Sequence, residues 1–307
     1  MKKSAFLKIV VVCAIALLIN ETGFAQNPIT VSAAAGTTLY KQGTNSGNLI
    51  GPVVTETPDL ITTGTKVPYL VIPDPLLNPT WVLGADATNT TGIVSTWTWT
   101  IPGVVSSTVA TTGHYLPIDV TGTAGVTGTI SVAEQGAGCP GAATTINVRV
   151  VAKPTATAMA VSDGTAPLNQ ICQPGTNGTL NVPFPTYSIT KTTDAAIPGD
   201  AKVQVKATLV FTNFVTAAVT TYFTDAILNV DATTGNISNT DLAAAATPTI
   251  AAFNSWGTYA LTITAISDKI SRKDLNAAKG FFAASQTATY TILKTPTTGA
   301  IYHLSNN

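Results

Sequence analysis

The chain has 307 residues, of which 45% are hydrophobic and only 10% charged, with 15 basic side chains against 15 acidic ones. A formal net charge of zero gives no field to draw the protein to nucleic acid or to an anionic membrane surface. Thr makes up roughly one residue in six, more than ordinary domains hold, and a neutral Thr-rich composition suits the strand faces and turns of exported β-proteins.

The first element in chain order is "MKKSAFLKIVVVCAIALLINETGFAQ". A basic start (Lys2, Lys3, Lys8) leads into an unbroken apolar run from Ile9 to Ile19 and then "GFA", the order of a secretory signal peptide cut between Ala25 and Gln26. A helix of about 11 residues covers roughly 17 Å against about 30 Å of bilayer hydrocarbon, so the run is too short to remain as a membrane anchor. Cys13 raises lipoprotein processing as the alternative, but three valines precede it where a small residue is needed. Cleavage leaves 12 basic and 14 acidic side chains, a net charge of about −2. The remaining length of roughly 280 residues is enough for two domains, each with its own core.

Within that length, period-two alternation is the dominant pattern and no long amphipathic helical stripe is present. In "STWTWTIPG", Trp97, Trp99 and Ile101 share one side of a strand and Thr96, Thr98 and Thr100 the other. A Trp-Trp-Ile face opposite a pure Thr face has one buried and one wet side, so Trp97 and Trp99 are expected in a sandwich core. The alternative is a carbohydrate platform, which needs an exposed face supplied with carboxylates and amides. Next, "TGTISVAEQGAGCPGAATTINVRVVAKP" places Ile130 and Val132 on one strand face and returns through Ile146, Val148 and Val150, an antiparallel hairpin closed by Lys153-Pro154. That sets the first domain at 26–153.

The second domain, 154–298, repeats the style. "AKVQVKATLVFTNF" aligns Val203, Val205, Ala207, Leu209 and Phe211, "GTYALTITAIS" aligns Tyr259, Leu261 and Ile263, and "QTATYTILK" aligns Ala288, Tyr290 and Ile292. Asp241 and Asp274 are expected to cap short helical turns in "DLAAAATPTIAAF" and "RKDLNAAKGFFAAS". After the turn-rich 294–299 comes a tail, 299–307, whose Ile301, Tyr302 and Leu304 either form a plain terminus or dock as an added strand.

The stretches "WTWTIPG" and "GTISVAEQGAGCPGAATTINVRVVAKPTA" resemble the PKD-like and immunoglobulin-like repeats of exported Bacteroidetes proteins: a Trp-x-x-Pro strand, a Gly-x-Ile-x-Val strand and a Gly-Cys turn before a Pro-ended last strand. In the second domain "SWGTYALTITAISD" is similar to the Gly-x-Tyr-x-Val-x-Val strand of PKD domains. Residues 27–94 have no counterpart. The resemblance implies a β-sandwich module on an exported protein, with no catalytic residue to carry over. With the length, leader and alternation above, the expected fold is an all-β chain of two tandem immunoglobulin-like (PKD-like) β-sandwich domains behind a cleaved signal peptide, with Trp97, Trp99, Ile130, Val132 and Tyr259 as structural core.

Many relatives pair two cysteines within a domain, and here each domain keeps one, Cys139 and Cys172. A bridge between them would close a loop of about 34 residues, worth about 3 to 4 kcal/mol. Export permits it chemically, yet Cys139 lies at the tip of the closing hairpin, about nine residues or roughly 30 Å from where the chain leaves the domain.

Sites for chemistry are thin. His114 and His303 stand apart from each other and from other metal ligands, and His114 reads as a turn residue beside a strand. No calcium loop, phosphate-cradling loop or Cys-x-x-Cys is present, so no cofactor or metal is expected. The leading expectation is a non-catalytic structural or adhesion protein, acting on a surface protein or polysaccharide. The alternatives are a carbohydrate-binding accessory using Trp81 or Trp256, and a secreted hydrolase with paired carboxylates.

Overall fold

The computed structural model describes residues 58–296 apart from 72, 75, 81–89, 108–112, 137, 165–168, 198–200 and 275–276. The leader with Cys13 and the expected start at Gln26, as well as Trp81, His303 and the tail 299–307, lie outside the described residues.

The first half contributes β1 (Asp59–Thr62), β2 (Lys66–Leu70), β3 (Thr96–Thr100), β4 (Val105–Ser106), β5 (Tyr115–Val120), β6 (Thr127–Gly136), β7 (Cys139–Pro140) and β8 (Thr144–Val151). One sheet runs β1-β8-β6-β3, with β7 hung on β6, and the other runs β2-β5-β4. These are the G-F-C and B-E-D orders of the immunoglobulin sandwich, with β1 moved to the G edge and paired parallel to β8. Alternation drives the assembly. β3 shows its tryptophans inward and its threonines outward, and Trp97, Trp99, Ile130, Val132, Val148 and Val150 meet Val67, Tyr69, Leu116 and Ile118 of the facing sheet in one cluster.

The second half forms β9 (Thr155–Ser162), β10 (Gln170–Gln173), β11 (Thr186–Thr192), β12 (Gln204–Asn213), β13 (Val219–Asn229), the helix α1 (Asn239–Ala245), β14 (Gly257–Ser267), a 3₁₀ turn (Ser271–Lys273) and β15 (Phe282–Lys294). The order β10-β15-β14-β12-β13 makes a five-stranded sheet that packs against the pair β9-β11. β10 pairs parallel with β15, repeating the β1 and β8 arrangement. In place of full D and E strands the described residues offer three isolated bridges, Ser188 to Asn236, Val230 to Ile237 and Val182 to Phe253, and α1. Tyr259, near the start of β14, donates from its hydroxyl to the Ser255 carbonyl at 3.2 Å and accepts from the Ser255 N–H at 3.2 Å. This is the tyrosine corner of immunoglobulin sandwiches. Its ring stacks on Phe253 and Phe211, with centroids 3.7 and 4.5 Å apart.

Two expectations, both of helix caps, are corrected. Helix α1 is capped by Ser238, whose side chain accepts from Asp241 N–H at 3.2 Å. Asp241 is already in the first turn and turns its carboxylate to Asn229 N–H and Nδ2, at 2.7 and 2.8 Å. Asp274 ends the 3₁₀ turn rather than starting a helix, and its carboxylate serves the other half of the chain. Cys139 and Cys172 are free and exposed. Cys139 sits in β7, at the end of the first sandwich remote from Val151, while Cys172 pairs with Leu293 near the end of β15. The thiols therefore lie at opposite extremes of the molecule, and no bridge joins them.

Candidate functional site

The tryptophans first proposed as core or platform are 2% and 7% exposed for Trp97 and Trp99. Trp99 Nε1 donates to Gly113 O at 2.7 Å, and Trp97 lies tilted against the buried His114 ring, centroids 5.6 Å apart. His114 occupies the bend just before β5. Ile130, Val132 and Tyr259 are buried as well. Trp256 is no exposed platform: it is buried, donates from Nε1 to Gln173 O at 3.1 Å, and carries Lys294 Nζ 5.2 Å from its ring centroid. Among the described residues no group of three His, Cys, Asp or Glu side chains is placed to hold a metal ion.

A network of buried polar contacts lies where the two halves of the molecule meet. Leu60 and Val151 of the first sandwich pack with Ile197 and Ile270 of the second in a separate buried cluster. Around it, carboxylates cross the boundary in both directions. Lys273 Nζ, at the end of the 3₁₀ turn, lies 2.8 Å from Asp59 Oδ1 and donates to Leu60 O at 3.0 Å. The other oxygen of Asp59 accepts from Tyr69 OH at 2.6 Å. Asp274 Oδ1 accepts from Lys66 N–H at 2.6 Å, fixing the start of β2, and Asp194 Oδ2 accepts from Ala152 N–H at 2.7 Å, fixing the chain just after β8. Lys153 lays its ammonium 5.0 Å from the centre of the Phe282 ring.

These contacts follow from local turn chemistry. Asp268 Oδ1 accepts from the N–H groups of Ile270 and Ser271, at 2.9 and 2.7 Å, an Asx turn that winds 271–273 into the 3₁₀ turn and so aims Lys273 at Asp59. The Asp59 and Lys273 side chains are 4% and 15% exposed, so their attraction is little screened. Burial, and after it the Asp59 charge, holds the Tyr69 hydroxyl well above its ordinary pKa, so it stays a donor to that carboxylate. For contrast, the Lys66 to Asp119 pair at 3.4 Å is about one third exposed on each side and contributes little.

Asp268 Oδ2 is buried without a hydrogen-bond partner. Burial raises its carboxyl pKa, against the lowering pull of the Ser271 and Ile270 N–H groups, the Ser271 hydroxyl and the Arg272 charge. A folded-state pKa above the unfolded one gives stability that is full below the ordinary carboxylate value, about 4, and is lost as pH rises through the raised value. Asp268→Asn keeps the acceptor oxygen and cannot ionise. Its stability relative to wild type is therefore expected to rise as pH increases through that window. Urea denaturation at a series of pH values checks this, and a difference that does not vary with pH counts against it.

The sequence reading missed this site because its members are 208 and 214 residues apart. One signal was available: "SDKISRKD", residues 267–274, is a dense run of charge in a chain that is only 10% charged.

Neither a family model nor a curated protein matches the chain in sequence. Similar solved structures include three N-terminal domains of the bacteriophage RB49 highly immunogenic outer capsid protein, at 11% identity and a TM-score of 0.30, covering 79% of this chain and 69% of that one. Titin domains A168–A170 align at 14% identity and a TM-score of 0.31, covering 78% and 62%, and the insect immune protein hemolin at 11% and 0.22, covering 78% and 45%. This chain thus spans under two thirds of the titin and hemolin structures. At such TM-scores the likeness carries no functional argument, and the architecture stands on the strand order itself. No helix among the described residues is long and apolar enough to cross a membrane.

Proposed function

We propose that the chain is a non-catalytic exported structural or adhesion protein, built of two immunoglobulin-like modules divided at Lys153 and Pro154 and held at a set angle to space or present a contact with another surface protein. One observation carries the reading. The three buried carboxylates among the described residues, Asp59, Asp268 and Asp274, all stand at the junction and are engaged with a lysine, a tyrosine hydroxyl and main-chain N–H groups. Carboxylates poised for hydrolysis would instead be buried around a cleft. The division is supported by the two large core clusters, one drawn from residues 61–150 and the other from residues 156–292.

The test has two arms. Purified protein is expected to leave chromogenic esters and glycosides unturned and to stay in solution beside insoluble polysaccharide. Turnover would overturn the reading in favour of a hydrolase, and retention on the polysaccharide would move it to a carbohydrate-binding accessory. Export carries its own expectation: the intact mass of the secreted form corresponds to a chain beginning at Gln26. A mass that includes residues 1–25, or a lipid on Cys13, removes that part of the proposal.

A further inference from the structure

Eight large hydrophobic side chains are exposed among the described residues, and their placement is uneven. Leu76, Leu77 and Val94 cluster at the end of the first sandwich remote from the junction. Val94 lies two residues before Thr96, which pairs with Gln135, and Leu77 abuts Gly136, which pairs with Cys139 of β7. Phe214, Val215 and Val219 cluster at the remote end of the second sandwich. They surround the β12 to β13 turn, nine residues or about 30 Å along β12 from the junction end at Gln204. Six of the eight therefore lie at the two extremes of the molecule, at 75%, 40%, 76%, 51%, 67% and 65% exposure in chain order.

The second of these ends is built to hold its apolar tip outward. Asn213 Oδ1 accepts from Val215 and Thr216 N–H at 2.7 and 3.1 Å, Asn213 N–H reaches Ala218 O at 2.9 Å, and Phe214 N–H reaches Trp256 O at 3.3 Å. A turn fixed in this way loses little freedom when it docks.

The charges at the two ends are opposite. Among the described residues of 73–80, 90–98 and 133–144 the charged side chains are Asp74 and Glu134, with no lysine or arginine. Among those of 171–180, 211–219, 253–259 and 292–296 the one charged side chain is Lys294.

From this placement we infer that copies of this chain associate head to tail. The apolar tip at Phe214, Val215 and Val219, with Lys294 beside it, docks on Leu76, Leu77 and Val94 of a second copy beside its Asp74 and Glu134. Two different patches meeting in this way form a heterologous contact, which extends as an open row of copies unless the rotation between them closes a ring. The inference deepens the spacer reading above, since a rod that repeats end to end spans any distance, and it rests on that reading. It also gives the two exposed thiols a shared location. Cys139 in β7 and Cys172 beside Gln173 and Lys294 come to opposite sides of the same contact.

Sedimentation velocity of the exported chain from about 10 μM to about 1 mM tests the inference, since contacts of this modest size fall in the weak range. The weight-average sedimentation coefficient is expected to climb with concentration and to fall back when salt screens the acidic and basic ends. Phe214→Asp with Val215→Asp blocks one end, and Leu76→Asp with Leu77→Asp blocks the other. Each pair is expected to weaken association at least about tenfold, and the exposed positions leave the melting temperature unchanged. An equimolar mixture of the two variants retains one intact tip and one intact acceptor, so it is expected to stop at dimers. A bismaleimide cross-linker should join Cys139 of one wild-type copy to Cys172 of another. A wild-type chain that stays monomeric throughout overturns the inference, as does association that survives blocking of either end, a mixture that stays monomeric, or cross-links joining like cysteines. None of these results touches the non-catalytic reading, which fails only on turnover or polysaccharide retention.

Discussion

Trp97→Ala and Trp99→Ala are each expected to cost about 3 to 5 kcal/mol, enough to unfold a marginal sandwich. Both rings lie in the cluster that joins the two sheets of the first module, so truncation opens a cavity that the strands cannot close. The two positions should then separate on a milder change. Trp99 Nε1 holds Gly113 O at 2.7 Å, and Trp99→Phe strands that carbonyl. Trp97 Nε1 is buried with no partner, so Trp97→Phe gives up volume and at the same time removes an unsatisfied donor. Trp97→Phe is therefore expected to be the smaller loss of the two. Chemical denaturation measures the difference. Equal losses would show that the Gly113 bond contributes nothing net. Unchanged melting in the alanine variants would contradict the core role altogether.

What could be read from sequence divides along the same physical line. β3, β12 and β14 each have one buried face and one wet face, and their alternation is visible without a structure: Val205, Ala207, Leu209 and Phe211 are all buried in β12 and the residues between them are not. β1 gave no such signal because all four of its residues are buried, between its own sandwich and the second module, and two of them are the polar Asp59 and Thr62. β5 was hidden by a run of buried residues, Leu116 to Ile118, with Pro117 in its middle. β9 carries an irregular register opposite Thr190 and Lys191, and its Thr and Ala side chains show no clear face. Tyr259 was legible as a buried strand residue, but its corner was not, although the hydroxyl reaches back only four residues to Ser255. The cap of α1 was misplaced by three residues because Ser238 and Asp241 are both cap formers, and only the hydrogen bond between them tells which one sits outside the helix. Beyond the charged run 267–274 the junction had no local signature, because an aspartate that bonds a main-chain N–H some two hundred residues away looks like any other aspartate in a turn.

That junction gives the other large expected effect. Lys273→Met removes the ammonium from a pair whose carboxylate, on Asp59, is 4% exposed, and leaves that charge buried with Tyr69 OH to answer it among the described residues. Breaking a buried pair from one side costs about 3 to 5 kcal/mol, far more than a surface pair is worth, because the stranded charge keeps its desolvation penalty. The loss should fall on the coupling between modules as well as on stability. Lys273 also holds Leu60 O, so its removal loosens the end of β1 that completes the apolar contact with Ile197 and Ile270. Denaturation, expected as a single transition in wild type, should split or broaden, and the scattering profile should lose the features of a fixed angle between modules. The double variant Asp59→Asn with Lys273→Met separates charge from packing. It leaves neither charge of this pair buried, keeps an acceptor for Tyr69, and should recover much of the stability lost by Lys273→Met alone. If Lys273→Met behaves as wild type in both measurements, Leu60, Val151, Ile197 and Ile270 hold the modules together without the ion pair. If the double variant is as unstable as the single one, Lys273 acts through its aliphatic stem and the Leu60 carbonyl rather than through its charge.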